Sequence, residues 1–170
     1  MISERHVRPA RSDDAPELVR LRRLMFAAMR GRDEPGDWER AAEKALRRFL
    51  SEPEGERRFG AFVVDADEDG GGAMGPRLAA CAVGTVEERL AAPPHPDGLF
   101  GFVFNVCTDA HHRGRGYARD TTRALLDWFA DRGVTRVDLH ATPEAEGLYR
   151  GLGFTTHSIP LSLDLPARGR

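Results

Sequence analysis

The sequence has no long apolar run, no excess of basic residues and only 2 cysteines. None of its apolar runs approaches the ~20 residues that cross a bilayer, and its charged N-terminus has no signal-peptide core. We therefore expect a cytoplasmic protein without membrane contact. The formal net charge of −2 argues against a nucleic-acid partner, because such domains are usually clearly basic. Cys81 and Cys107 lack metal-ligand spacing, which predicts two reduced, buried thiols and no metal site.

The composition is that of a globular domain. The chain has 170 residues, of which 41% are hydrophobic and 31% are charged, and this length is enough to bury a core. No internal repeat divides it, so residues 1–170 are predicted to form a single domain. Glycines and acids over Asp65–Pro76 and prolines over Ala91–Gly98 indicate two exposed loops.

The apolar pattern predicts alternating strands and helices. Strands are expected at His6–Ala10, Arg58–Val64, Leu78–Val86, Leu99–Thr108, Thr135–Ala141 and Phe154–Leu165. Helices are expected at Asp14–Met29, Trp38–Leu50, Gly114–Arg132 and Thr142–Leu152, with Asp14 and Thr142 as N-caps. This order predicts an α/β fold in which a central mixed β-sheet is flanked by helices on both faces.

The most informative stretch is Asn105–Ala118, NVCTDAHHRGRGYA, where a strand ends, a turn follows and a glycine segment opens a helix. Gly114 and Gly116 allow a ligand to approach the backbone, and the first amides of a helix have no intrahelical acceptor. With the helix dipole, this arrangement favours a pyrophosphate. Nearby arginines strengthen the positive field: Arg113, Arg115, Arg119 and Arg123.

Three other structures contain glycine-rich segments of this kind: a simple glycine turn, a P-loop and a dinucleotide-binding fingerprint. A glycine turn with solvated arginines has the same composition and stays possible. A P-loop is excluded, because it needs a lysine and a hydroxyl residue where Tyr117 and Ala118 stand. A dinucleotide fingerprint would need glycine in place of Arg119, although Asp138 stands roughly where a ribose-binding acid is expected. A nucleotide-dependent oxidoreductase therefore stays an alternative.

Three motifs resemble those of the GCN5-related N-acetyltransferases (GNAT). Arg113–Ala118, RGRGYA, resembles their R/Q-x-x-G-x-G/A motif, and Leu148–Phe154, LYRGLGF, resembles L-Y-x-x-x-G-F. Val7–Ala10 followed by Asp13–Ala15 is similar to the usual opening of the family. The resemblance implies the GNAT fold, acetyl-CoA as co-substrate, no metal, and transfer to a primary amine of a small molecule or peptide. It also makes a homodimer an option.

The resemblance assigns roles to individual residues. The pyrophosphate would be held by consecutive residues of the glycine segment: Arg113, Gly114, Arg115, Gly116, Tyr117, Ala118 and Arg119. The pantetheine arm would pair with the end of the preceding strand, which in the family is bulged and parts from its neighbour: Asn105, Val106, Cys107 and Thr108. Tyr149 would give a proton to the departing thiolate, or would only pack its helix with a satisfied hydroxyl.

The general base and the acceptor are less defined. His140, Glu87 and Glu88 are candidate bases, and a relay water is an equal alternative. The acceptor is expected near Met29–Trp38, MRGRDEPGDW, whose acids would attract a cationic amine or simply be solvated. A non-catalytic CoA-binding module on the same fold is the alternative function.

Overall fold

The structure is a computed structural model that describes residues 6–67 and 77–169. It forms two compact units, Met1–Leu139 and His140–Arg170. Among the described residues, the first unit contains the five-stranded β-sheet and three α-helices, and the second contains one short helix. Most of the predicted loop Asp65–Pro76 lies outside the described residues.

The elements follow the predicted order as far as residue 151. The first unit contains these strands and helices: β1 (Val7–Pro9), a 3-10 helix (Ser12–Asp14), α1 (Ala15–Arg30), α2 (Trp38–Ser51), β2 (Phe59–Asp65), β3 (Leu78–Glu88), β4 (Leu99–Thr108), a second 3-10 helix (Ala110–His112), α3 (Tyr117–Asp131) and β5 (Arg136–Leu139). The second unit contains α4 (Glu146–Gly151).

The sheet is mixed, as the sequence predicts. Its strand order is β1-β2-β3-β4-β5, with antiparallel pairs from β1 to β4 and a parallel pair between β4 and β5. The parallel pair requires a long crossover, and α3 with its preceding loop provides it. The loop and the start of α3 therefore follow directly from the end of β4.

Helices cover both faces of the sheet within the first unit. On one face, Leu18 and Leu21 of α1 pack with alternate residues of β2 such as Phe59 and Val63. On the other face, Leu125 and Phe129 of α3 are fully buried against the sheet. Each such side chain stabilises the fold by roughly 1.5–3 kcal/mol. The prediction of helices on both faces is confirmed.

Three predicted details of the helix starts are wrong. Asp14 does not cap α1, because its backbone is helical and its carboxylate accepts hydrogen bonds from Arg8 and from the Arg11 amide. Thr142 does not cap α4, whose N-cap is Ala145. Helix α3 begins at Tyr117 rather than Gly114, because Gly114 and Gly116 have φ of 76° and 83°. Such values are left-handed and stop a helix from forming there.

Strand β4 contains a bulge that breaks the predicted alternation of its faces. Asn105 pairs with Val83 and Val103 pairs with Gly84, so Phe104 is the extra residue. Phe104 therefore lies on the α1–α2 side, 6.2 Å from the Phe59 ring, together with Asn105. Regular alternation along the predicted strand Leu99–Thr108 would place Phe104 and Asn105 on opposite faces, and the bulge overturns that expectation.

The predicted strand Phe154–Leu165 is also absent. Residues 155–169 form neither helix nor strand, and all of them are exposed. Four apolar side chains in this segment are 79–89% exposed: Ile159, Leu161, Leu163 and Leu165. An alternating apolar pattern makes a segment suitable for a strand, but it does not supply a pairing partner.

Two features are absent from the part of the chain that the structure describes. No helix among residues 6–67 and 77–169 is long and apolar enough to cross a membrane. The same residues contain no group of three or more His, Cys, Asp or Glu side chains that could hold a metal ion.

Candidate functional site

The site is built around the point where β4 and β5 part. Their parallel ladder ends with the pair Val103 and Leu139, whereas β4 continues to Thr108. On its other edge, β4 stays paired with β3 through Asn105, Val106, Cys107 and Thr108. Over these residues β4 therefore has β3 on one side and no β5 residue on the other, which leaves backbone groups able to pair with an extended ligand.

The loop after β4 leaves a run of backbone amides without acceptors. The amide of His112 donates to Asp109 and the amide of Asp120 donates to Gly116. Between them, no amide of residues 113–119 donates to any other described residue. This run lies at the N-terminus of α3, so its donors and the helix dipole together suit an anion. A Cβ at Gly114 would meet nothing within 4 Å, so the loop is open there.

Arg20 and Asp109 hold this loop in position. Asp109 accepts from the His111 amide at 3.0 Å, and Arg20 of α1 donates to its other carboxylate oxygen at 2.7 Å. Burial opposes ionisation, yet the Arg20 hydrogen bond keeps the pKa of Asp109 below its ordinary value. Arg20 also donates to the Leu78 carbonyl at 2.9 Å. Sequence reasoning missed both residues, although an aspartate directly before a turn is a recognisable cap signal.

The arginines of the loop differ in their pairing. Arg115 is paired with Asp67 at 2.9 Å. Arg113 is exposed and has no ion pair with another described residue. Arg119 lies in the first turn of α3 and is exposed, while Tyr117 and Ala118 are half-buried. All of these predicted residues lie within one loop and the first helical turn.

Asn105 and Cys107 face α1 rather than the parted edge. Asn105 is buried, accepts from Arg22 Nη1 at 3.1 Å and contacts Cys81 Sγ at 3.5 Å. Cys107 lies opposite Cys81, and both are free thiols, as predicted. Burial raises the pKa of Cys107 to about 11 and that of Cys81 to about 12, so both stay protonated near neutrality. Neither is an activated nucleophile.

Tyr149 and His140 belong to the second unit. Tyr149 is buried in α4, its ring meets Phe154 edge-to-face at 5.9 Å, and burial raises the pKa of its hydroxyl. That hydroxyl has no hydrogen bond within residues 140–169. The predicted alternative, a packing tyrosine with a satisfied hydroxyl, is not seen within this unit. His140 is exposed and directly follows β5.

The other two candidate bases lie far from the bulge of β4. Glu87 is opposite Phe100 and Glu88 is opposite Leu99, at least five residues from Asn105 along β4, or roughly 17 Å at the usual strand rise. Each carboxylate is already paired, Glu87 with Arg89 at 2.7 Å and Glu88 with Arg58 at 2.8 Å. Neither can accept a proton near the parted edge.

The predicted acceptor region contains a cavity of about 520 Å³ between α1 and α2. Its acids do not present free negative charge. Asp33 is paired with Arg23 and Asp37 with Arg40, and Glu34 is paired with both Arg30 and Arg32. The expected attraction of a cationic amine by these acids is therefore weakened by their own counter-ions.

The sequence matches a known family and a curated relative. The model of the Acetyltransferase (GNAT) family matches residues 21–154. Glucosamine 6-phosphate N-acetyltransferase 1 of Oryza sativa subsp. japonica is 33% identical over 87 residues, which are 51% of this chain and 51% of the rice protein. The match spans about half the length of that relative.

Solved structures of acetyltransferases share the fold. A predicted acetyltransferase with acetyl-CoA from Clostridium acetobutylicum superposes with a TM-score of 0.74 at 18% identity, covering 93% of this chain and 94% of that one. Glucosamine-6-phosphate N-acetyltransferase from Arabidopsis thaliana gives 0.72 at 16% identity, with 94% and 97% covered. At such identities the likeness concerns the fold alone.

The mixed five-stranded sheet flanked by helices matches the fold of these acetyltransferase structures. The family match extends over most of this chain, from the first helix to the end of the L-Y-x-x-x-G-F segment. The chain belongs to the Acetyltransferase (GNAT) family. This membership does not fit the alternative of a nucleotide-dependent oxidoreductase.

Proposed function

We propose that the protein is an N-acetyltransferase that moves an acetyl group from acetyl-CoA to a primary amine by direct transfer. The observation that carries this proposal is the run of amides at residues 113–119 without acceptors, which directly follows the unpaired edge of β4. A pyrophosphate needs several donors in one place, and an extended amide-containing arm needs a free strand edge.

The residues present fit acetyl-CoA. Gly114 leaves open space above a left-handed backbone, and the nearest atom to a Cβ at Gly116 would be Asp120 Oδ2, at 3.9 Å, so a phosphate can approach the amides closely. Arg113 has no ion pair with another described residue and supplies positive charge at the start of the loop. The backbone of Asn105, Val106, Cys107 and Thr108 would pair with the pantetheine arm. When bound, acetyl-CoA supplies a thioester as the activated acetyl donor.

The chain would contribute a hydrogen-bond donor and two proton-transfer groups. A backbone N–H near Val106 would donate to the thioester carbonyl oxygen as negative charge develops there. Tyr149 would donate its phenolic proton to the departing sulfur, since its raised pKa keeps the hydroxyl protonated near neutrality. His140, directly or through a water, would accept the proton that the amine loses.

The step is balanced without a further reactant. The amine nitrogen forms a bond to the acetyl carbon, and the bond from that carbon to sulfur breaks. The amine gives one proton to His140, directly or through a water, and the sulfur receives one from Tyr149. The products are an amide and free coenzyme A, and Tyr149 is reprotonated from solvent.

Support for an amine acceptor comes from the relatives. The rice and Arabidopsis proteins are glucosamine 6-phosphate N-acetyltransferases by name, so each is named for acetylating an amino sugar. We extend to this chain only the class of a primary amine. An amine would reach the parted edge of β4 from the side of α1 and α2, where the cavity lies.

An acetyl-transfer assay tests the proposal. The purified protein is incubated with acetyl-CoA and a panel of amines, and release of free thiol is followed together with product mass. We expect thiol release that depends on one amine class and an acetylated product. Tight acetyl-CoA binding without transfer to any amine would instead identify a non-catalytic CoA-binding module.

A further inference from the structure

Arg22 is a half-buried cation without a carboxylate partner. It lies on α1 and lines both the cavity of about 520 Å³ and an adjoining recess of about 140 Å³ that reaches Asn105. Its guanidinium donates to Asn105 Oδ1 at 3.1 Å and lies 4.7 Å from the Phe26 ring centroid. No carboxylate among residues 6–67 and 77–169 forms an ion pair with it.

The neighbouring arginines of the same cavity each have an acidic partner. Arg23 is paired with Asp33 at 2.5 Å, and Arg30 is paired with Glu34 at 2.8 Å, a carboxylate that it shares with Arg32. Among the described residues that line the cavity, Arg22 is therefore the arginine without a carboxylate partner. Burial without a counter-ion lowers the pKa of Arg22, which is the electrostatic cost of leaving this cation unpaired.

We propose that Arg22 binds an anionic group of the acceptor, so that the substrate is a small primary amine carrying a carboxylate or a phosphate. The proposal rests on the N-acetyltransferase function proposed above and names its substrate class. A guanidinium binds either anion through two parallel hydrogen bonds, and a partly dry site strengthens them. Asn105 fixes one edge of the guanidinium and leaves its remaining donors for the ligand.

The position of Arg22 also limits the size of the acceptor. Asn105 adjoins Val106, where the thioester would lie, so the anion and the amine are separated by about one side-chain length. An amino acid or an amino-sugar phosphate satisfies this limit, whereas a long polyamine offers no anion to Arg22. The unpaired charge of Arg22 thus favours an acceptor that carries an anionic group, whereas the acids of the loop Met29–Trp38 suggested a purely cationic one.

Calorimetric binding of matched acceptor pairs tests this proposal without turnover. Glucosamine 6-phosphate is compared with glucosamine, and alanine with alaninamide, each titrated into the protein alone and with coenzyme A. We expect the anionic member of one pair to bind at least about 10-fold more tightly, since a charged hydrogen bond contributes that much. The pair in which the anionic member binds more tightly shows whether the recognised anion is a phosphate or a carboxylate. Equal binding within both pairs overturns the proposal.

Variants of Arg22 complete the test. Arg22→Gln is expected to abolish the preference for the anionic member, and Arg22→Lys to keep part of it. Arg40→Gln is the matched control, because Arg40 is an exposed arginine of α2 outside the cavity lining. An anion preference that survives Arg22→Gln also overturns the proposal. Acetyl-CoA is titrated separately, so a failure of the proposed function is distinguished from a failure of the anion site.

Discussion

Val103 of β4 and Leu139 of β5 form the last pair of the parallel ladder, and β4 continues beyond them to Thr108. The bulge at Phe104 follows immediately, and the acceptor-free amides follow the strand. One strand therefore leads from an open sheet edge into the loop that we propose binds the pyrophosphate. The proposed binding of acetyl-CoA depends on this continuity.

The glycine loop can be tested with two matched glycines. Gly116 and Gly133 both have left-handed backbones, with φ of 83° and 75°, but Gly133 lies at the far end of α3. Alanine at either position costs about 1–2 kcal/mol of stability. Only Gly116→Ala should also weaken acetyl-CoA binding, by about 10-fold or more, because it displaces charged hydrogen bonds. Similar affinity in both variants, measured calorimetrically, would contradict the loop assignment.

Tyr149→Phe should lower kcat by about 100-fold, the lower range for a general acid, and leave acetyl-CoA affinity unchanged. Phenylalanine keeps the edge-to-face contact with Phe154, so the thermal unfolding midpoint serves as the packing control. The raised pKa also predicts that Tyr149 stays protonated, and so active as an acid, up to at least its ordinary value of about 10. Wild-type turnover in Tyr149→Phe would remove the residue from the mechanism.

His140→Ala tests the proposed base. A histidine accepts a proton only when it is neutral, so the wild-type rate should fall on acidification. In the variant, kcat/KM should be lower at neutral pH and its acidic limb should be displaced or lost. Superimposable acidic limbs in the two pH-rate profiles would exclude His140 and leave a relay water.

Asp65→Asn tests the ion pair that joins β1 to β2. Arg8 donates to both carboxylate oxygens of Asp65 at 2.7 and 2.9 Å, and these hydrogen bonds lower the pKa of Asp65. The folded state therefore gains stability above the unfolded pKa, and loses it as pH falls through the folded value.

The partly exposed pair should contribute about 0.5–1 kcal/mol near neutrality. Urea unfolding at several pH values should show the largest gap between wild type and Asp65→Asn near pH 7, closing below about pH 4. Asp13→Asn is the control, because the Asp13 side chain is 99% exposed and should change little at any pH. A gap independent of pH would refute the ionic origin.

Sequence patterns predicted what depends on local periodicity. The bounds of β4 and the start of α2 at Trp38 were predicted to the residue, since their apolar alternation or amphipathic face is unbroken. The glycine loop was also recognisable, because left-handed glycines and a helix start are local features. The order of the predicted strands and helices then indicated the mixed sheet and helices on both faces.

Features that depend on distant partners could not be predicted. The bulge at Phe104 is a one-residue insertion that shows only against β3, and the Arg20–Asp109 pair joins residues 89 positions apart. Residues Phe154–Leu165 have the periodicity of a strand, but a strand also needs a pairing partner, which the local sequence does not reveal. Asp14 has cap chemistry, yet Arg8 and the Arg11 amide occupy its carboxylate.

The central claim is that this chain binds acetyl-CoA at the β4–α3 loop, and calorimetric titration of acetyl-CoA, NAD and ATP tests it most directly. We predict saturable binding of acetyl-CoA, with NAD and ATP much weaker because neither carries a pantetheine arm for the open edge of β4. Absence of acetyl-CoA binding, or equal affinity for NAD, would contradict the claim and leave only the family fold.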